Sequence, residues 1–167
     1  MLTNVKEELN RFAKYVISQS RANLTRGKKN SSKELYNSLD SNVKVSENSF
    51  ELTFLMEDYG VFQDKGVSGV KKKYNTKYSY TTKMPPPSKM DKWIVKKGIA
   101  PRDKNGKFIS RKSLQFMIAR SIFNNGIKPS LFFTKPFEKA FKNIDKDLIK
   151  AYKLDIENLM NNSINNK

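Results

Sequence analysis

The chain has 167 residues, contains neither cysteine nor histidine, and carries a formal net charge of +17. These facts exclude disulfides, metal sites with thiolate or imidazole ligands and a Ser-His-Asp triad, and the length suits one domain with its own core. The apolar content of 37% is low for a globular chain, so we expect a partner chain to cover part of the apolar surface.

The N-terminal residues predict an amphipathic helix. Apolar side chains recur at helical spacing through residues 5–17, and Asn4 and Glu7 have the spacing of a capping box. The helix is expected to end at Gly27, where glycine permits a left-handed stop. A short second helix is predicted to begin at Ser32.

A β-hairpin is predicted next, within residues 42–56. Apolar residues occupy every second position of residues 50–56, which places them on one face of a strand. Glu47 and Asn48 are predicted to form the turn. The small antiparallel sheet, packed by the N-terminal helix and a long C-terminal helix, predicts an α+β fold.

The middle of the chain differs in composition. Residues 65–112 contain fifteen basic and two acidic residues, whereas residues 1–64 contain nine of each. We interpret residues 67–109 as a basic, Tyr- and Lys-rich insertion in a single domain of residues 1–160. Its first part, residues 67–84, has few aliphatic side chains and is predicted to be a long mobile loop or arm.

Such a charge excess is typical of a surface that faces a polyanion, above all nucleic acid. A solvated, lysine-rich surface that reflects an AT-rich genome explains the composition equally well. The sequence alone leaves both interpretations open.

Further elements are predicted on the C-terminal side of this loop. A short helix from Ser88 is expected to turn Trp93 and Ile94 inward, and Asn-Gly at residues 105–106 marks a tight turn. Ser110 is a cap for the next helix.

The last and longest helix is predicted to be capped by Thr134, with Pro136 in its first turn. Residues 161–167 are predicted to be a frayed tail. The apolar stripe of this helix is expected to consist of Phe137, Phe141, Ile144, Leu148, Tyr152 and Leu159.

Two groups of acidic residues are candidate metal sites. Asp103 opens a segment similar to a calcium loop, but its glycine is fourth instead of sixth and Leu114 stands at the twelfth position, so a plain turn is favoured. Glu57, Asp58 and Asp64 could hold magnesium for a nuclease, but surface charge is the favoured interpretation.

Aromatic residues among the lysines could stack on single-stranded bases. Packing in the core or at an interface is the favoured interpretation of these residues. These residues are Tyr74, Tyr78, Tyr80 and Trp93. Neither a Walker loop nor a Gly-rich dinucleotide loop is present. No catalytic residue, metal or cofactor is therefore assigned, and the chain is not expected to be an enzyme.

Two short motifs support a resemblance to a known family: YGVFQDKG at residues 59–66 and FFTKPFEKA at residues 132–140. The chain resembles the head–tail neck (connector or tail-completion) proteins of lambda-like tailed bacteriophages. In that family a helix and a β-hairpin lead into an aromatic-rich stretch with an acid shortly before a glycine, and a Pro-Phe motif opens a long C-terminal helix. The chain departs from this pattern at Val67, at residues 130–131 and in the insertion at 67–109.

The resemblance implies a structural virion protein that assembles in the host bacterial cytoplasm and forms a homo-oligomeric ring around the DNA path at the head–tail neck. The expected partners are portal or adaptor proteins, tail proteins and DNA held by non-specific contact. No membrane partner is expected, because no stretch has the length or hydrophobicity of a membrane span. Two alternatives stay open: a DNA-binding module that acts as a monomer or dimer, and a metal-dependent nuclease that uses acidic residues alone.

Residues that face DNA or an acidic partner are expected among the cations of the basic segment: Lys71, Lys72, Lys73, Lys77, Lys96, Lys97, Arg102, Lys104, Lys107, Arg111 and Lys112. Large aromatic side chains are natural anchors of an interface. The oligomer interface is therefore expected to use Tyr59, Phe62, Phe132, Phe133 and Phe137.

Overall fold

The computed structural model describes residues 2–30, 32–46 and 49–165, with side chains as far as residue 162. The predicted α+β fold is confirmed, since one two-stranded antiparallel sheet accompanies an N-terminal helix and a long C-terminal helix. The elements in chain order are α1 (Thr3–Arg26), α2 (Glu34–Ser38), β1 (Asp40–Val45), β2 (Phe50–Leu55), α3 (Tyr59–Lys65), a 3-10 helix (Pro87–Met90), α4 (Asp91–Lys96), α5 (Arg111–Asn125) and α6 (Thr134–Asn165).

The contacts divide the chain into two compact units. Residues 1–57 and 132–167 contain α1, α2, the hairpin and α6, and we call them the helix–hairpin unit. Residues 58–131 contain α3, the 3-10 helix, α4 and α5, and we call them the basic unit. The predicted single domain of residues 1–160 is thus divided by its contacts, and the second unit is longer than the predicted insertion at 67–109.

In the helix–hairpin unit, α1 packs against both α6 and the sheet. Phe12 and Val16 of α1 form one cluster with Ile144 of α6, and Leu52 and Phe54 of β2 pack against it. The strands pair in a single antiparallel register, and the predicted turn at residues 47–48 lies outside the described residues. Because an isolated two-stranded hairpin is at best marginally stable, burial against the two helices stabilises the sheet.

Phe132 is buried, so the prediction that it anchors an oligomer interface is wrong, whereas Phe133 and Phe137 are half-buried against the core and their place in an interface stays a prediction. Phe132 is 1% exposed and packs with the buried residues of α2 and the end of α1. Phe133 stacks on Phe137 with ring centroids 5.9 Å apart, and Phe137 meets the edge of Phe12 at 5.8 Å. The amino-acid sequence gives no sign of this burial, because the burial depends on where α6 packs.

The inward stripe of α6 also differs from the prediction. Phe137, Ile144 and Leu148 do face the core, but Ala151 and Asp155 continue the stripe. The remaining three predicted members, Phe141, Tyr152 and Leu159, are 48–54% exposed. The helix continues to Asn165, so residues 161–165 are helical rather than frayed, and residues 166–167 lie outside the described part.

The first turn of α1 is capped from α6 and not by the predicted box of Asn4 and Glu7. Leu2 occupies the cap position and makes no side-chain cap hydrogen bond. The Asp155 carboxylate instead accepts from the Asn4 N–H at 2.9 Å, the Asn4 side-chain amide at 2.8 Å and the Val5 N–H at 3.0 Å. A carboxylate at this end also interacts favourably with the helix dipole.

We expect Asp155→Asn to lower the free energy of unfolding by about 1–3 kcal/mol, because hydrogen bonds to a charged, buried acceptor are lost or weakened. Burial alone raises the pKa of this carboxyl, but the hydrogen bonds from Asn4 and Val5 outweigh burial and hold the pKa below its usual range. A depressed folded-state pKa gives stability that is present above the unfolded-state pKa and is lost as pH falls through the folded-state pKa.

Urea unfolding across the acid range checks this prediction. The parent protein should lose stability more steeply on acidification than Asp155→Asn does. Asp145→Asn, an exposed carboxyl on the same helix, is the control and should behave as the parent. Equal acid slopes for the parent and Asp155→Asn would contradict the proposed cap.

Candidate nucleic-acid interface

Residues 67–80 fold back on the end of α5 and do not form the predicted arm. The N–H groups of residues 70–72 donate to carbonyl oxygens at the C-terminal end of α5 at 2.9–3.1 Å. The buried Ser68 Oγ donates to the Tyr74 carbonyl and accepts from the Tyr74 N–H, both at 2.9 Å. Backbone groups that an arm would leave to water are thus paired inside the fold, which orders the segment.

Two glycines permit this close approach of loop and helix. A Cβ on Gly69 would lie 2.2 Å from the Asn124 carbonyl oxygen, and one on Gly126 would lie 2.1 Å from the Val67 carbonyl oxygen. Gly126 also has φ +71° and ψ −166°, a conformation that is essentially restricted to glycine. Both positions therefore require glycine.

We expect Gly126→Ala to destabilise the basic unit by at least about 2 kcal/mol, since backbone strain adds to a collision with main-chain atoms. Limited trypsin digestion should then cleave at residues 71–73 much faster than in the parent. Gly106→Ala is the matched control: its φ is +78°, but nothing lies within 4 Å of the added Cβ. Equal protection of residues 71–73 in both variants would show that the loop is not held by its contact with α5.

The basic unit carries most of the charge of the chain. Its 74 residues include seventeen basic and four acidic ones, for a net charge of +13 of the total +17. All eleven cations that the sequence analysis proposed as DNA- or partner-facing are exposed. They lie in the loop of residues 67–80, at the end of α4, around the turn of residues 102–107 and in the first turn of α5.

The acidic residues of this unit serve its internal structure. Asp91 accepts from the Gln115 side chain at 2.7 Å and lies 3.9 Å from Arg111. The Asp103 carboxylate accepts from the N–H groups of Asn105 and Lys107 at 2.9 Å, which confirms the plain turn at this position. Asp64 is 3% exposed. With all four acidic residues counted, seventeen basic residues still leave the unit a net charge of +13.

Three cations of the unit lie over aromatic rings. The Lys72 ammonium is 5.7 Å from the Tyr74 centroid and the Lys77 ammonium 5.5 Å from that of Tyr78. The Arg102 guanidinium lies 3.7 Å from the Phe108 centroid and donates to the Gly106 carbonyl at 2.7 Å. Contacts of this type hold long side chains in place without removing their charge.

Tyr59 and Phe62, which were predicted to lie in the oligomer interface, line a cavity of about 630 Å³ in the basic unit. Tyr78 and Tyr80 also line this cavity. Trp93, predicted to face inward, is 43% exposed on α4, whereas Ile94 is buried as predicted. Gln63 also lines the cavity and was missed, because nothing in the pattern of a single glutamine indicates that it borders a cavity.

Within the part of the chain that the structure describes, no group of three or more acidic residues lies close enough to hold a metal ion. The candidate set of Glu57, Asp58 and Asp64 is therefore not assembled as a metal site among these residues. In the same ranges, no helix is long and apolar enough to cross a membrane.

The resemblance drawn from residues 59–66 and 132–140 depends on those motifs and on the order of the elements. No family model, no curated protein and no solved structure matches the chain.

Proposed function

We propose that the chain is a non-catalytic structural subunit of a homo-oligomeric ring at the head–tail neck of a tailed phage, with its basic unit facing the DNA. The observation that carries the proposal is the net charge of +13 on one compact unit of 74 residues. Portal or adaptor proteins and tail proteins are the partners that such a ring would join, after assembly in the host bacterial cytoplasm.

The predominance of lysine over arginine in the basic unit supports contact with a moving duplex that does not depend on base sequence. Fourteen of the seventeen cations in the unit are lysines. Lysine is a flexible point charge, whereas arginine forms a rigid fork that holds a phosphate at fixed geometry. Lys112 stands in the first turn of α5, where the helix dipole disfavours cations, so a contact with an outside anion accounts better for its position.

An exposed apolar stripe on α6 supports self-association. Ile149, Tyr152, Ile156 and Met160 follow one another at helical spacing and are 40–69% exposed. They lie on a different side of the helix from the core residues Ile144 and Ala151. We call these four residues the outer stripe. Contiguous apolar surface of this type is typical of an interface. A contact between two different surfaces forms a ring when its rotation closes, and the proposal requires such a rotation.

Light scattering and negative-stain imaging test the proposal, together with duplex DNA binding as a function of salt. We expect a closed oligomer that binds duplex DNA without sequence preference and with a linear dependence of log affinity on log salt. Ile149→Asp should weaken assembly, and Leu154→Asp, 51% exposed on another side of α6, is the control.

A monomer or dimer that still binds DNA would favour the DNA-binding module. DNA cleavage that requires magnesium or manganese would favour the nuclease. Loss of all DNA binding, with assembly on an acidic protein, would leave a ring whose basic unit is a docking surface.

A further inference from the structure

The cavity of the basic unit has the size and wall of a ligand site. Its volume of about 630 Å³ lies within the range of about 300–1,000 Å³ that is common for such sites. Four aromatic side chains, Tyr59, Phe62, Tyr78 and Tyr80, contribute to the wall. A planar, aromatic ligand is therefore the natural occupant.

The aromatic rings are held in place and are accessible. Phe62 meets Tyr78 edge to face with centroids 4.8 Å apart, and Tyr80 lies 6.2 Å from the Phe123 ring. Tyr59 and Phe62 nevertheless remain 43% and 41% exposed. Burial raises the pKa of Tyr80. Its hydroxyl, like that of any tyrosine at neutral pH, can donate a hydrogen bond. Such rings can stack on a base without paying for a rearrangement of the core.

The polar side chain of Gln63 borders the cavity. A glutamine side chain offers both donors and an acceptor, and this combination matches the edge of a nucleobase.

A positive charge accompanies this wall. Lys77 lines the cavity and holds its ammonium 5.5 Å from the Tyr78 centroid. Residues 71–73 add three exposed lysines in the same loop. Lys77 would thus place a cation beside a base in the cavity, for the phosphates of its own strand.

We infer that this cavity binds an unpaired base of a single-stranded nucleic acid, with Gln63 at the base edge and Lys77 toward the backbone. An apolar side chain of a protein would fit the aromatic wall, but it would not use the polar side chain of Gln63 or the ammonium of Lys77. This inference goes beyond non-specific contact with duplex DNA, since it assigns part of the affinity to the base itself.

The first test compares oligonucleotides on the unmodified protein. A single-stranded thymidine oligomer and an abasic oligomer of equal length carry the same phosphates, so the charge contribution is matched. We expect the thymidine oligomer to bind about 5- to 150-fold more tightly for each base engaged, because stacking of a base on an aromatic contributes about 1–3 kcal/mol. Equal binding of the two oligomers would overturn the inference and leave the proposed function intact. If neither oligomer nor duplex DNA bound, the proposed DNA contact itself would be wrong.

The second test locates the base. An oligomer with 5-iodouracil, irradiated in the complex, should crosslink to Tyr59, Phe62 or Tyr78. Phe62→Ala and Gln63→Leu should each remove most of the preference for the thymidine oligomer over the abasic one. Phe116→Ala removes an aromatic that is 48% exposed outside the cavity and should retain the preference. Crosslinks to other aromatic residues, or loss of self-association with unchanged base preference in Phe62→Ala, would overturn the assignment.

Discussion

Replacing Lys71, Lys72, Lys73, Lys96 and Lys97 together by Gln is expected to lower affinity for duplex DNA by about ten- to a thousandfold at 0.1 M salt. Each phosphate neutralised contributes roughly −0.9 to the slope of log affinity against log salt, and therefore close to one decade between 0.1 and 1 M salt. The slope should flatten by up to about 4.5 units for each subunit that contributes all five lysines. Fluorescence anisotropy of a labelled duplex at several salt concentrations measures both quantities.

The helix–hairpin unit provides a control with the same change in charge. Five of the six exposed lysines on α6 are converted to Gln in the control variant: Lys139, Lys142, Lys146, Lys150 and Lys153. If both variants lost affinity equally, net charge alone would explain binding and the basic unit would not be the DNA face. If the first variant bound DNA as the parent does but no longer bound a protein partner, its lysines would form a docking surface.

Phe132→Ala is expected to lower the free energy of unfolding by about 3–5 kcal/mol. The side chain is 1% exposed among Leu24, Leu35 and Leu39, so its removal leaves a cavity as well as losing apolar burial. A domain of this size has a total free energy of unfolding of about 5–15 kcal/mol. The variant should therefore be close to unfolding at 37 °C. Urea unfolding followed by circular dichroism measures the change.

Two further variants keep this prediction testable if Phe132→Ala does not fold. Phe132→Leu keeps most of the volume and should cost less than about 1.5 kcal/mol. Phe50→Ala removes a ring that is 48% exposed at the end of β2 and should cost less than Phe132→Ala. If Phe132→Ala were stable but formed a smaller oligomer, the result would support a place for Phe132 in the oligomer interface.

The sequence alone determined the local features of this protein. The helical spacing of apolar residues in 5–17 predicted α1, and the alternation of apolar and polar residues predicted the hairpin. Ser110 was correctly predicted to be a helix cap, since its Oγ accepts from the Ser113 N–H at 3.2 Å. Charge counting found the basic segment. Spacing, capping and composition are properties of neighbouring residues, so each could be inferred before the chain was folded.

Only the tertiary structure decided which side chains meet. Asp155 caps α1 from about 150 residues away, and Phe132 is buried although it looked like an interface residue. Gln63 and the rings of Phe62 and Tyr78 come together because the loop folds back on α5, where Gly69 and Gly126 allow main chains to touch. Such contacts join residues distant in sequence. Local patterns carry no record of them, and burial and backbone approach decide them when the chain is folded.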